Sequence, residues 1–211
     1  MRIHDLTQPF RAQTPGFESK EAKRIELNGW NASTLTLYSH AGTHMDAPVH
    51  FGVDDRGVDS YPVSRFVSKA WIANATSVAP GGEISKELVT AQVSGLKPGD
   101  SLLIRTDWYK RIYHPSYRND LPRISEGLAH WCVDQGVNVL GVEPPSVADV
   151  NNLEEVTRIH QILLPTVIIV EGLCGLDEVS RHFVQLIALP ILIEGGDGAP
   201  ARVIVIESEE S

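Results

Sequence analysis

A chain of 211 residues with 42% hydrophobic and 21% charged side chains can bury the core of one folded domain, which excludes a disordered polymer. Its net charge of −9 repels a phosphate backbone, so nucleic acid is not expected as a partner. No apolar run approaches the roughly 20 residues that cross a bilayer.

The run Phe183 to Ile193 is apolar but too short, and Pro190 interrupts it. The opening Met1-Arg2-Ile3-His4-Asp5-Leu6 lacks the apolar segment of a signal peptide, so a cytoplasmic protein without a membrane partner is expected. The two cysteines, Cys132 and Cys174, are too few for a thiolate metal site and are read as reduced.

In chain order, Thr34 to Ser39 alternates as a half-buried strand does. Ser85 is placed to cap a helix over Lys86 to Val93. After the turn Lys97-Pro98-Gly99-Asp100, residues Ser101 to Thr106 read as a strand. Ser125 caps a second helix, Glu126 to Gln135, which Gly136 stops. Val137 to Val142 is a short β-branched strand. Asn151 or Asn152 opens a third helix, with Leu153, Val156, Ile159 and Leu163 at helical spacing as far as Pro165. Val167 to Glu171, Val184 to Leu189 and Arg202 to Glu207 are later strands, and Ser208 to Ser211 is a frayed tail. Strands and helices interleave, which predicts one α/β domain over 1–211 with a largely buried central sheet.

The chemistry concentrates in Ser39-His40-Ala41-Gly42-Thr43-His44-Met45-Asp46-Ala47-Pro48-Val49-His50-Phe51. Imidazole and carboxylate are the usual non-thiol ligands of zinc and related ions. Gly42 and Pro48 oppose a helical HxxxH arrangement. A loop at a strand end suits the segment better. There, His44 and Asp46 project to one side and Gly42 turns His40 back toward them. Three ligands, His40, His44 and Asp46, leave a coordination position open, as catalysis requires. His50, beyond Pro48, reads equally as a proton shuttle or as a structural histidine. Further along, Glu171 closes a buried strand and needs a partner, either a metal or an arginine such as Arg158 or Arg181. Cys174 reads as a packed residue rather than a nucleophile.

The pattern His40-x-Gly42-Thr43-His44-x-Asp46-x-Pro48-x-His50-Phe51 resembles the signature of the putative cyclase family, which includes bacterial kynurenine formamidases and isatin hydrolases. Three further segments are similar to family motifs: Asp5-Leu6-Thr7, Gly141-Val142-Glu143-x-Pro145-Ser146-Val147, and His160-x-Ile162-Leu163-Leu164 followed by Ile169-Val170-Glu171-Gly172-Leu173. The resemblance implies a swivelling β/β/α cyclase-like fold with a central mixed sheet, assembled as a homodimer or homotetramer. It implies His40, His44 and Asp46 as metal ligands, with His160 and Glu171 completing a second site that Asp46 bridges. It implies His50 as the catalytic proton-transfer residue. Formamidases carry Trp-Pro-Gly-Asp before the metal motif, whereas this chain reads Thr14-Pro15-Gly16-Phe17-Glu18. Phe17 and Phe51 are therefore the candidate aromatic contacts to substrate, with Trp30, Tyr61 and Trp108 as further pocket candidates.

The function expected is hydrolysis of an arylformamide, lactam or lactone of a small molecule. It would use one or two zinc ions per chain; manganese also suits a carboxylate-containing set. Within enzymes the alternative is an isatin- or lactone-type ring-opening hydrolase. From another class it is a non-catalytic metal- or ligand-binding domain, which turnover on a substrate panel separates from an enzyme.

Overall fold

The β-branched runs of the second half become neighbours in one sheet, and the histidine loop is stitched into its seam. The structure is a computed structural model and describes residues 1–207; the expected tail at Ser208 to Ser211 lies outside the described residues. In chain order the strands are β1 (Arg2–Asp5), β2 (Phe17–Lys23), β3 (Ala32–Leu37), β4 (His44–Asp46), β5 (Val67–Asn74), β6 (Glu83–Ile84), β7 (Ser101–Arg105), β8 (Arg123–Ile124), β9 (Val139–Val142), β10 (Ile168–Glu171), β11 (Phe183–Pro190) and β12 (Gly198–Glu207). The helices are α1 (Ile25–Asn28), α2 (Lys86–Thr90), α3 (Ser116–Asn119), α4 (Glu126–Asp134) and α5 (Leu153–Leu163).

The main sheet runs β1-β12-β11-β5-β7-β9-β10-β4, and β4 also pairs with β12, so the sheet closes on itself into a barrel-like form. The pairings β5–β7, β7–β9 and β9–β10 are parallel, while those of β4, β11 and β12 are antiparallel. This is a mixed sheet in a single α/β domain. Closure pairs β4 on both of its edges, and β1 remains as a short edge strand bonded to β12 alone.

Alternation along the strands divides the core in two. Met45, Leu103, Val139, Ile168, Val170 and Val205 fill the inside of the closed sheet. Leu102, Ile104, Leu140 and Ile169 point outward beneath α4 and α5, where Leu128, Cys132, Ile159 and Leu163 cover them. Ser125 and Asn152 cap α4 and α5 through their side-chain oxygens, which accept from the backbone N–H of Leu128 and Glu155. Leu153, expected in the buried stripe of α5, is 77% exposed because it occupies the first turn, and His160 takes a buried position on that helix face instead.

Two expectations change. The strand read at Thr34 to Ser39 is β3, paired only with β2 in a hairpin that stands away from the core with most residues exposed. Its Thr/Leu alternation has no apolar surface to meet within the chain. The helix after Ser85 ends at Thr90 instead of Val93, since Val93 turns inward to the core cluster rather than continuing the helix.

Gly172, directly after β10, has φ 69°, and a Cβ there would lie 2.5 Å from the Gly42 carbonyl oxygen. The end of β10 thus approaches the histidine loop more closely than any side chain permits. Gly172→Ala is expected to cost roughly 2–4 kcal/mol in urea unfolding, from left-handed strain plus overlap. Gly99→Ala, with φ 91° but open space around it, is expected to cost only the strain of about 1–2 kcal/mol. Equal losses at the two sites would remove the close-approach explanation.

Candidate metal centre

The centre is built by strand register. In the antiparallel pair of β10 and β4, Glu171 lies opposite His44, Val170 opposite Met45 and Ile169 opposite Asp46. Opposed residues share a face. Met45 and Val170 therefore point into the barrel, while His44, Asp46 and Glu171 emerge together on the outer face. There α5 lowers His160 onto them. On the other side of β4, Gly198 of β12 lies opposite Asp46. A Cβ at Gly198 would stand 2.6 Å from the His40 ring, so only glycine leaves that ring its place.

The loop before β4 is fixed at both ends. Gly42 adopts φ 62°. The buried Thr43 hydroxyl donates to the Gly172 carbonyl at 2.6 Å and accepts from the Gln8 N–H at 2.9 Å. After β4, Pro48–Phe51 forms a single tight helical turn that brings His50 and Phe51 over the same region.

His44 and His160 are alike. Each commits Nδ1–H to a backbone carbonyl, Gly42 at 2.9 Å and Val156 at 2.7 Å. That fixes the tautomer and turns the Nε2 lone pair toward carboxylates. His44 Nε2 lies 3.3 Å from Glu171 Oε2 and 3.6 Å from Asp46 Oδ1. His160 Nε2 lies 3.4 Å from Asp46 Oδ2 and 3.4 Å from Glu171 Oε1. All four side chains are buried. Lone pairs facing anions in a dry site are tenable only with positive charge between them, from protons or from a cation.

His40 differs. Its Nδ1 is 2.8 Å from Asp46 Oδ1 and its Nε2 is 3.1 Å from Asp197 Oδ2. It lies between two carboxylates, and an ion on His40 replaces one of these contacts. The His50 ring stacks on His40 at 3.9 Å between centroids, with Nδ1 3.8 Å from Asp197. Phe51 stacks on His160 at 4.2 Å.

The proton affinities express the same need for charge. Burial opposes protonation of His160, but the adjoining Asp46 and Glu171 carboxylates outweigh it and raise its pKa to about 10. Burial likewise works against His40, and Asp46 and Asp197 raise it to about 9. His44 is raised by Glu171 and Asp46 against the same burial cost. Burial would raise Asp46, yet the histidines around it hold it well below the usual carboxylate range. His50 moves the other way: burial lowers its pKa, so it stays neutral at pH 7.

The donor set fits a divalent metal. Asp46 Oδ2 is buried without a hydrogen-bond partner, and the facing imidazole and carboxylate atoms are those zinc takes. Two overlapping groups have ligand atoms close enough to share an ion: His40, Asp46 and His50, and His44, Asp46 and Glu171. Asp46 belongs to both. Glu171 is not paired with an arginine: Arg158 engages Glu126 and Glu154, and Arg181, whose backbone N–H donates to Glu207, makes no ion pair with Glu171. Besides the histidines, Glu171 Oε1 accepts from the Val147 N–H at 2.7 Å.

Two hollows reach the centre. One, about 140 Å³, is bordered by His40, His44, Pro15, Ile112, Tyr117 and Arg118. The other, about 230 Å³, is bordered by His50, Phe51, His160 and Glu171 among others. Phe51 thus lines the site. Phe17 does not: it stacks on Phe10 at 5.0 Å at the base of the hairpin. Nor do the other three aromatic candidates. Tyr61 is in the barrel core, Trp108 is buried with its indole N–H on the Tyr117 carbonyl, and Trp30 is exposed on the hairpin. Cys174 is not activated, since burial first and nearby carboxylates second push its thiol up to about 12.

Sequence reading missed Asp197, which touches both His40 and His50. Its signal is the run Gly195-Gly196-Asp197-Gly198, in which a lone acidic residue sits among glycines that allow close backbone approach. Glu143, named above only as part of a motif and given no role, is 0% exposed, has Oε1 without a hydrogen-bond partner, and is pushed by burial up to about 7.

Comparison with known proteins gives concordant results. The family model for Cyclase: Putative cyclase matches residues 4–149. The chain is 29% identical over 208 residues to a kynurenine formamidase of Bacillus cereus, covering 95% of each chain. In fold it is similar to isatin hydrolase A from Ralstonia solanacearum, with TM-score 0.85, 21% identity, and coverage of 97% of this chain and 91% of that one. It is also similar to a solved potential metal-dependent hydrolase with cyclase activity, with TM-score 0.79, 23% identity and 99% of both chains covered.

Because His40 and His160, with pKa values of about 9 and about 10, hold protons that an ion must displace, zinc binding at pH 7 is expected to release at least one proton per ion. Calorimetry in buffers of differing ionisation enthalpy checks this. Asp46→Ala, which removes the carboxylate common to both groups, is expected to abolish stoichiometric zinc in elemental analysis. Full metal content in that variant would contradict the centre.

Proposed function

The chain belongs to the Putative cyclase family, and from that premise we propose that it is a metal-dependent hydrolase cleaving the carbon–nitrogen bond of a small aryl formamide. The observation that carries the reading is the buried meeting of the His44 and His160 Nε2 atoms with Asp46 and Glu171 beside an open hollow. A purely structural site is closed on all sides. The likeness to kynurenine formamidase along nearly the whole chain supports the bond type.

His40, His44, Asp46, His160 and Glu171 are the residues that would hold the metal, with Asp46 common to both sites if two ions bind. Zinc is the ion that imidazoles and carboxylates fit best, and manganese is the alternative. Such an ion, when bound, supplies Lewis acidity that makes water nucleophilic at neutral pH. His50 receives a proton from the attacking water and returns it to the leaving nitrogen; Asp197 and the stacked His40 ring orient it. Phe51 fixes the His160 ring and offers a wall to an aromatic substrate.

A second reading, opening of a lactam ring of the isatin type, involves the same bond held within a cycle, and the fold likeness to isatin hydrolase A favours keeping it. Zinc-loaded protein offered N-formylkynurenine and isatin, followed by absorbance, separates the two. His50→Ala leaves the His44, Asp46 and Glu171 group intact, so on the accepted substrate it is expected to keep metal there and lose about 10²–10⁴-fold in turnover. Wild-type turnover in that variant would remove His50 from the mechanism. Metal binding without turnover of either compound would favour a non-catalytic domain.

We also infer that the protein works as a homodimer or homotetramer in a reducing, cytoplasmic setting. Both cysteines are free, and no described helix is long and apolar enough to cross a membrane. The β2–β3 hairpin exposes Ile25, Leu27, Trp30 and Leu35, and a lone two-stranded ribbon is marginal in water. A second copy covering it would supply what it lacks. Sedimentation is expected to give a dimer or larger for wild type and a monomer for the Leu27→Glu/Trp30→Glu double variant. A monomeric wild type would overturn this part.

A further inference from the structure

Arg118, in α3, borders both hollows at the metal centre, together with His40, His44 and Pro145. It is the one lysine or arginine on either lining. The surrounding cations are engaged: Arg105 and Lys110 with Asp107 at 2.7 and 2.8 Å, Arg123 with Glu155 at 3.0 Å, and Arg111 over the Trp108 ring. Arg118 has no ion pair, hydrogen bond or ring contact with any described residue. Among the described residues the single carboxylate on either lining is Glu171, which is buried and occupied by His44, His160 and the Val147 N–H.

The smaller hollow has the dimensions of one ring. Its 140 Å³ compares with the roughly 150 Å³ cavity that holds benzene. Pro15, Ala41, Ile112 and Pro145 give it apolar walls, and Gln8 is held by its amide donating to the Tyr117 hydroxyl at 2.9 Å. A ligand filling it with its reacting amide toward His40 and His44 has one strong polar feature left to meet, the free guanidinium. In a chain of net charge −9, an anionic ligand is repelled at long range, so its retention calls for a local cation. A guanidinium fork matches a carboxylate with two parallel hydrogen bonds.

We propose that Arg118 is a specificity-determining residue that pairs with a carboxylate on the substrate, so that the preferred substrates are aryl amides carrying a free acid group away from the bond cleaved. This rests on the hydrolase reading above and narrows it to a substrate class.

The test compares N-formylkynurenine with its primary carboxamide, which keeps the shape and removes the charge, on zinc-loaded wild type and on Arg118→Ala and Arg118→Lys. Wild type is expected to favour the acid by about tenfold or more in kcat/KM, the scale of one charge-assisted pair. Arg118→Ala is expected to bring the acid-to-amide ratio near one, with the loss for the acid falling on KM. Arg118→Lys is expected to restore part of the ratio, and added salt to reduce it. A wild-type ratio near one, or a ratio unmoved by Arg118→Ala, overturns the proposal while leaving the hydrolase reading in place. If wild type cleaves neither compound, the formamidase reading falls. Calorimetry of kynurenine and kynurenine amide then decides Arg118 separately: selective weakening of the acid in Arg118→Ala supports the pairing, and equal binding of both compounds to wild type overturns it.

Discussion

A buried carboxylate that must be compensated governs this structure. Asp46 is 1% exposed and sits within 3.6 Å of nitrogen atoms from His40, His44 and His160. Removing such a group from water costs several kcal/mol unless charge of the opposite sign surrounds it. The histidines supply it as imidazolium, or a divalent ion supplies it more compactly. The same features that make the apo cluster hold protons tightly therefore suit it to a metal. A neutral replacement of any member leaves the others facing like partners.

The barrel closure and the centre are one piece of architecture. β4 is only three residues long, yet it pairs with β10 on one edge and β12 on the other. Strand β4 seals the sheet through its backbone and carries His44 and Asp46 outward on alternate residues, with Met45 anchoring the barrel interior between them. Each neighbouring strand contributes one adaptation. β10 ends in Glu171 and then Gly172, whose missing side chain lets the Gly42 carbonyl approach. β12 begins at Gly198, which leaves space for the His40 ring. The hollows open toward α3 and the histidine turn.

Much of this is visible in the residues themselves. β7, β9, β10 and β11 are apolar runs bounded by turns, and each falls within a residue or two of its expected bounds. β5, Val67–Asn74, is a central strand that went unread. Its Ala70, Ile72 and Ala73 are buried between neighbours, but alanines and the serine and lysine beside them give little alternation. β3 shows the converse, a regular alternation that implied burial and found none. Periodicity reports what a segment is able to bury, and the covering surface decides whether it does.

The clustering of His40, His44, Asp46 and His50 within eleven residues is a local property, and so are the chemistry it suggests and the family its spacing resembles. The sequence alone also determined the capped helices α4 and α5, because capping and helical spacing act over a few residues. Tertiary structure decided the rest. Glu171 faces His44 and His160 rather than an arginine, Asp197 arrives from more than 140 residues beyond the histidine segment to touch His40 and His50, and Phe51 but not Phe17 lines the hollow. Which side chains meet across a closed sheet is set by register and by where glycine permits approach, and no short window of sequence contains that information.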